Sequence, residues 1–472
     1  MGAGISGIGT AYWLQEKCPE KSYAVLEARH ELGGTWSLFN YPGVRSDSDM
    51  FTFGYRFRPW QEPQSLSAGE NILKYLRETV TEYGIERHIR YGHRLMSADW
   101  SDETRTWHLH VQRDGEKLEL ECRFLSICSG YYDYEAAHRP DFAGEEDFTR
   151  QIVVPQFWPQ QLDYTGKRVV VVGSGATAIT IVPAMADGGA AHITMLQRSP
   201  TYVMNLPNRN GLYLTAKKHL PDRWAYRIAR WTNISLSMFS FAFSKAFPGV
   251  MKRLIMRGAS KELPADFDVQ THFNPRYDPW DQRLCVVPDG DLFRVIREGK
   301  AAVVTEHIDR FMPGGIRLAS GEELAADIVV LATGLKMSLA GKAAISVNGR
   351  PVDMNQVMIY KGMMVSDVPN LVYAFGYTNA SWTLKVDLTA NYLCKLLRYM
   401  DRKGYSVVVP AREALTSEEP FLNLNSGYVE RARDVLPKQG KRRPWRVYQS
   451  YLVDMLSTRF GRVADRVLRF GR

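Results

Sequence analysis

The 472-residue chain has few cysteines, no metal-type residue spacing and no long apolar run, and each lack excludes something. The five cysteines (Cys18, Cys122, Cys128, Cys285, Cys394) are odd in number and show no paired spacing. A disulfide scaffold and a zinc site are therefore set aside in favour of a reduced compartment with buried thiols. His192, His272 and His307 stand apart from one another, so they read as structural and no metal is expected. Neither a signal peptide nor a run of about 18 apolar residues is present. The expectation is a cytoplasmic protein, with peripheral membrane contact left open. No Ser-His-Asp arrangement, paired-carboxylate arrangement or low-complexity segment stands out. Sixty Lys and Arg against 51 Asp and Glu leave +9, which suits acidic ligands and would equally suit an anionic membrane surface. The basic residues are scattered rather than gathered into one reading element, so nucleic acid is not expected.

What is present begins at the first residues. Gly2-Ala3-Gly4-Ile5-Ser6-Gly7 is a G-x-G-x-x-G loop running into a helical stretch from Ile8 to Glu16. The apolar strand Tyr23–Leu26 follows and ends on Glu27. In such a loop Gly2 allows the tight turn, Gly4 lets the backbone approach a pyrophosphate and Gly7 lets the helix pack on the strand; the acid then accepts hydrogen bonds from ribose hydroxyls. A second copy lies at Val169-Val170-Val171-Val172-Gly173-Ser174-Gly175-Ala176-Thr177-Ala178, with Ala178 in the third glycine position. The strand after it, Ile193–Leu196, ends not on an acid but on Gln197-Arg198-Ser199. A guanidinium there can grip a ribose 2′-phosphate that a carboxylate would repel. The first site therefore reads as FAD and the second as NADPH; a solvated strand-end charge is the alternative for Arg198. A flavin and a nicotinamide on one chain imply hydride transfer from NADPH to the flavin.

Four further stretches carry a resemblance: Gly33-Gly34-Thr35-Trp36, Tyr41-Pro42-Gly43-Val44-Arg45-Ser46-Asp47, Asp281-Gln282-Arg283-Leu284-Cys285 and Leu331-Ala332-Thr333-Gly334. In this order they resemble the class B flavoprotein monooxygenases of Baeyer–Villiger type, notably the ethionamide-activating branch. The likeness extends over nearly the whole chain, including Phe375–Thr383 and Lys438-Gln439-Gly440. It implies that Arg283 and Asp47 are the catalytic pair, with Arg283 over the flavin and Asp47 orienting it. It also implies that Gly34, Thr35 and Trp36 belong to the FAD site. An always-charged guanidinium would stabilise negative charge developing on oxygen; a structural Arg–Asp bridge is the alternative. The implied reaction consumes NADPH and O2 and oxygenates a small organic substrate, a ketone or a thioether.

Two departures stand beside the likeness. The family fingerprint Phe-x-Gly-x-x-x-His-x-x-x-Trp-Pro falls on Phe148–Pro159, where Arg150 replaces the glycine and Val154 the histidine. Trp158-Pro159 is kept, so the segment reads as a retained linker with altered tuning, and loss of the histidine leaves an uncoupled NADPH oxidase or reductase as a rival reading. The second departure is that only Met1 precedes the first glycine loop, where a central strand is expected. This suggests a truncated sequence and a poorly packed first sheet, and keeps a non-catalytic flavin-binding or membrane-associated protein as a third reading.

The expected fold class is α/β, with two Rossmann-like dinucleotide-binding domains and a helical insert. The FAD domain takes residues 1–135 and resumes over 327–400, where Ile328–Leu331 leads into Thr333-Gly334, a turn suited to close cofactor approach. The NADPH domain takes 136–326, with the insert at about 205–280, and 401–472 form a C-terminal extension. Trp107–Val111 alternate and suggest an antiparallel hairpin through Asp114-Gly115. Leu388–Met400 read as an amphipathic helix whose N-terminal end could face the flavin. In the insert, Trp224, Ile228 and Trp231 share a helical face opposite Arg227 and Arg230, and Leu236–Phe243 is apolar. Packing as a lid over the substrate channel is favoured over an interfacial membrane helix.

Overall fold

A computed structural model describes residues 1–413, 417–422 and 425–472. The four valines of the second glycine motif form the middle of a five-stranded parallel sheet. Arg168–Val172 is flanked by His192–Gln197 and then Ala301–Thr305 on one side, and by Ile328–Leu331 and then Gln151–Val153 on the other. All four valines are buried, as a strand covered on both faces requires. The helix Ala176–Asp187 follows the loop directly, and its apolar side packs into the same core.

Ile328–Leu331 pairs with Val169–Val172, so this strand belongs to the second nucleotide fold and not to the resumed first fold, as its sequence position suggested. An all-apolar strand fits either sheet; only pairing decides. The chain crosses back just afterwards. Leu335–Met337 runs antiparallel to Tyr132–Ala137, so the outgoing and returning crossovers lie side by side.

The first nucleotide fold is split about its expected centre. Val25–Leu26 pairs in parallel with Ile89–Arg90, and Leu125–Ile127 pairs in parallel with Leu371–Tyr373. Between the two pieces, Met1 and Gly2 hold the place of a strand by three backbone bonds. The Met1 amine donates to Ser126 O at 2.8 Å, Cys128 N to Met1 O at 2.8 Å, and Gly2 N to Leu26 O at 2.7 Å. The sheet expected to be badly packed is thus stitched together, with Ile127 fully buried and Leu26 and Leu125 nearly so. The helix after the loop starts at Ile5, with Gly4 as its cap, and runs to Lys17.

Thr106–Arg113 and Glu116–Cys122 form the expected hairpin through Asp114 and Gly115, both at positive φ as a two-residue turn of matching twist demands. Trp107, Leu109 and Val111 face inward and are buried. The helix expected over 388–400 is longer, Trp382–Lys403, and begins beside the first glycine loop.

The insert contains helices Gly211–His219, Asp222–Ala246, Pro248–Glu262 and Val269–Phe273. It is bracketed by a parallel pairing of Val203–Leu206 with Cys285–Pro288, which returns the chain to the second fold just after Arg283. Its long helix is inverted relative to simple amphipathic expectation. Arg230 is buried and donates through Nη1 to the carbonyls of Phe51 at 2.7 Å and Gly54 at 3.0 Å. Trp224, Ile228 and Trp231 are exposed. Carbonyls at the end of the short helix Met50–Phe53 offer the guanidinium acceptors that no apolar side chain could use. That contact sets which face turns inward, and the apolar face does not pack as a lid.

Candidate functional site

The two folds meet along one cleft of about 370 Å³, within the usual range for ligand sites. Gly2, Gly4, Ser6 and Glu27 line it from the first fold, and Ala176, Thr177 and Thr180 from the second. The glycine loops place helix N-termini at this cleft. Neither helix has a side-chain cap, so the first-turn N–H groups of Ile5–Lys17 and Ala176–Asp187 remain free for anionic oxygen.

Each glycine of the first loop has a distinct reason. A Cβ on Gly7 would stand 1.8 Å from the Gly2 carbonyl oxygen, so helix and loop close only without one. A Cβ on Gly4 would lie 3.5 Å from the Cα of Gly34, which keeps the space between loop and Gly34 narrow but open. Glu27 is buried; its Oε2 accepts from Ala3 N at 2.7 Å and its Oε1 from Arg29 N at 3.0 Å. The carboxylate thus holds the loop and still borders the cleft. Thr35 and Trp36 follow Gly34 into the lining on the short helix Thr35–Leu38.

Asp47 and Arg283, 236 positions apart in the chain, approach to 3.4 Å between Oδ2 and Nη1. The loop carrying Asp47 is held from both sides. Ser46 N donates to Ser67 O at 2.9 Å within the first fold, and Arg45 Nη1 meets Asp291 Oδ2 of the second at 2.6 Å. Gly43, at positive φ, lies flush on the helix Ala176–Asp187, where a Cβ would come within 2.4 Å of Thr180 O. Arg283 is positioned by its neighbours: Asp281 O accepts from Asn425 N at 2.8 Å, and Leu284 and Cys285 are buried.

Arg283 Nε is buried without a hydrogen-bond partner, and the side chain lines the cleft. Burial works against its charge, yet its surroundings outweigh that and hold it well above the ordinary arginine value. Burial also pushes the Tyr132 phenol well up and that of Tyr428 to about 12. These two phenols are therefore neutral at working pH, and Asp47 is the formal counter-charge. A fixed cation with an unspent donor at the meeting of two anion-binding loops fits a dinucleotide pair carrying a redox-active ring.

The remaining candidates fall beside this cleft. Gly173 packs against the Ala332 carbonyl, Gly175 caps the helix, and Ala178 is fully buried beneath it. Arg198 is exposed at the strand end; Ser174 Oγ donates to Ser199 O at 3.0 Å, tying that strand end to the second loop. No hydrogen bond or ion pair engages the Arg198 guanidinium among the described residues. Thr333 Oγ1 donates to His138 O at 2.8 Å, so Thr333 and Gly334 clamp the crossover while Leu335 reaches the cleft. The fingerprint segment forms the edge strand Gln151–Val153, and buried Gln156 donates to Asp133 O at 2.8 Å, joining it to the outgoing crossover.

Sequence reasoning missed two contributors. Trp382 enters the cleft from the first turn of its helix, with Nε1 donating to Ser6 Oγ at 2.9 Å and its ring filling the space above Gly376. Tyr41 lines the cleft with Thr177 and Thr180, and burial raises its phenol. Glycine and tyrosine inside the 41–47 motif were the available signals, but the helix they press against is distant in the chain.

Comparison with known proteins agrees with this geometry. A model of flavin-binding monooxygenase-like proteins matches residues 48–228, and one of NAD(P)-binding Rossmann-like domains matches 1–62. The chain is 51% identical over 473 residues to the FAD-containing monooxygenase EthA of Mycobacterium tuberculosis, covering 100% of this chain and 97% of that protein. It is 45% identical over 475 residues to the probable FAD-binding monooxygenase AlmA of Acinetobacter baylyi, covering 100% and 95%. An oxidised steroid monooxygenase bound to NADP superposes with a TM-score of 0.79 at 20% identity, covering 100% of this chain and 98% of that one.

Gly7→Ala is expected to strip flavin from the protein, because the added methyl meets the Gly2 carbonyl at 1.8 Å. The flavin-to-protein absorbance ratio measures it; a ratio equal to that of the unsubstituted protein would show that the loop does not cradle FAD.

Proposed function

Because the chain belongs to the FAD-containing, NADPH-dependent monooxygenases, we propose that it inserts oxygen beside the carbonyl of a ketone or adds it to a thioether sulfur. When bound, FAD would supply the redox chemistry that joins NADPH oxidation to the use of O2, one oxygen atom going to the substrate and the other to water. The balance is NADPH, a proton, O2 and substrate giving NADP⁺, water and oxygenated product.

The chain's own residues divide the work. The first loop, through Gly2, Gly4 and Gly7, would hold the FAD pyrophosphate at the helix N-terminus, and Glu27 would take ribose hydroxyls. Gly34, Thr35 and Trp36 wall the cofactor on one side and Trp382 on another. Gly173, Gly175 and Ala178 hold the NADPH pyrophosphate, and Arg198 takes the 2′-phosphate, since its guanidinium stands exposed and unpaired at the strand end. Thr333 and Gly334 set the crossover beside both sites.

Arg283 is the group that carries the oxygenation reading. Its Nε is a buried donor without a partner, on a side chain that lines the cleft, and its charge favours negative charge appearing on oxygen. Asp47 orients the guanidinium and offsets part of its desolvation. At 3.4 Å and partly exposed, the pair is a loose one that leaves the cation free to serve a second anion.

Two substitutions test these roles. Arg283→Ala is expected to retain FAD yet lose product formation by about 10²–10³-fold, the usual worth of a preorganised donor at a developing oxyanion. Product formation at the original rate would remove Arg283 from the chemistry. Arg198→Ala is expected to reduce the preference for NADPH over NADH by about 1.5–3 kcal/mol, as read from kcat/KM for the two nucleotides. A preference left whole would assign the 2′-phosphate to another cation.

A further inference from the structure

Large exposed apolar side chains are concentrated on two adjoining elements. On the helix Asp222–Ala246, Trp224, Ile228, Trp231, Leu236 and Phe239 all face outward, Phe239 being 66% exposed. Helices Asp222–Ala246 and Pro248–Glu262 turn through 115° about Phe247, which is itself exposed. On the helix Tyr451–Arg459, Leu452 and Leu456 are exposed, and Phe460 just beyond it is 71% exposed. The Trp231 and Tyr451 rings, 6.1 Å apart, join the two surfaces. A soluble protein scatters such residues; a continuous strip calls for an occupant. Among the described residues no single helix is long and apolar enough to cross a bilayer.

The neighbouring face of Tyr451–Arg459 borders a second cavity, of about 420 Å³, beside Ile5–Lys17 and Trp382–Lys403. Six cations line it (Lys17, Arg56, Lys395, Arg398, Arg402 and Arg459), and its only carboxylate is Asp387. Asp387 is already engaged, accepting from Trp13 Nε1 at 2.7 Å and lying 3.6 Å from Arg56. No described carboxylate pairs with Arg398, Arg402 or Arg459. On a 3.6-residue period Leu452 lies next to Arg459, so the apolar strip and the basic cavity share an edge. Arg227 adds charge at the other border, stacked 5.0 Å from the Trp224 ring.

The geometry points to a docking surface for an anionic lipid bilayer: the strip enters the headgroup region and the cavity takes a lipid phosphate. Apolar residues, indoles at the border and unpaired cations on one edge are the composition of an interfacial helix surface. A second copy of the chain would cover the apolar strip but would bring a like-charged cavity to the same edge. The buried Arg230 explains why the strip is available, since its bonds to Phe51 and Gly54 commit the opposite face inward. Asn233 Nδ2, donating to Asp49 Oδ1 at 2.8 Å, ties the same helix to the loop of Asp47. The docked face therefore adjoins the wall of the cofactor cleft.

Flotation of the FAD-loaded full chain with phosphatidylcholine vesicles, with and without phosphatidylglycerol, tests this. Binding is expected only with phosphatidylglycerol, weakening as salt rises. Phe239→Glu with Leu456→Glu should abolish it, and Arg398→Glu with Arg402→Glu should weaken it at least tenfold, each near-surface cation being worth roughly a factor of five. Both double variants should consume NADPH as the parent does, which shows that they fold. Absence of binding, equal binding to the two vesicle types, or binding that survives either pair of substitutions overturns the proposal. So does a dimer that Phe239→Glu with Leu456→Glu dissociates while vesicles stay unbound, or an effect of the arginine pair on inorganic phosphate alone.

Discussion

The contact between Gly43 and the backbone of Thr180 sets the distance between the two nucleotide folds. A Cβ there would press within 2.4 Å of a helix carbonyl, so only glycine lets the loop of one fold rest on the helix of the other. Everything chemical in the cleft is referred to that seat. Two residues on, Arg45 reaches Asp291 across the same boundary, and two further on stands Asp47 beside Arg283. If the loop lifted, the carboxylate would leave the guanidinium and the second glycine loop would retreat from the first. The cleft is therefore a property of the seam rather than of either fold alone.

Around the seam, backbone groups offer most of the donors suited to an anion, and side chains supply direction. Both glycine loops leave helix N–H groups uncapped, and the two helices point their positive ends at one space. Arg283 adds a fixed cation with an unspent buried donor. The neutral phenols of Tyr132 and Tyr428 enclose it without neutralising it. Such an arrangement favours charge appearing on bound oxygen without needing to reorganise, which is where most of the rate advantage of a preorganised site resides.

Much of this was legible in residue order. The two glycine loops, the acid closing the first strand and the arginine closing the second fixed the fold class and both cofactors, because each has a spacing that backbone geometry imposes. The hairpin at Asp114-Gly115 was equally plain, since both positions need positive φ. Other features were not legible, for one recurring reason. Ile328–Leu331 is apolar throughout and suits either sheet, and only its pairing with Val169–Val172 assigned it. Arg230 carries the charge expected of a solvated face, yet three distant carbonyls draw it inward. Trp382 began a helix six residues ahead of its visible periodicity. At the place of the strand expected before Gly2, Met1 and Gly2 bond to Leu26, Ser126 and Cys128, the last two more than a hundred residues away. In each case the decisive partner lies far along the chain, and short-range pattern carries no record of it.

The central claim is that hydride from NADPH is spent on oxygen transfer to substrate at the Arg283 end of the cleft. The measurement that meets it most directly is isotope balance. FAD-loaded protein is supplied with NADPH, ¹⁸O₂ and a panel of ketones and thioethers, and product mass is followed against NADPH loss. The account predicts one labelled oxygen atom in the product for each NADPH consumed. NADPH loss matched by hydrogen peroxide, with no labelled product across the panel, would contradict it and leave an oxidase in its place.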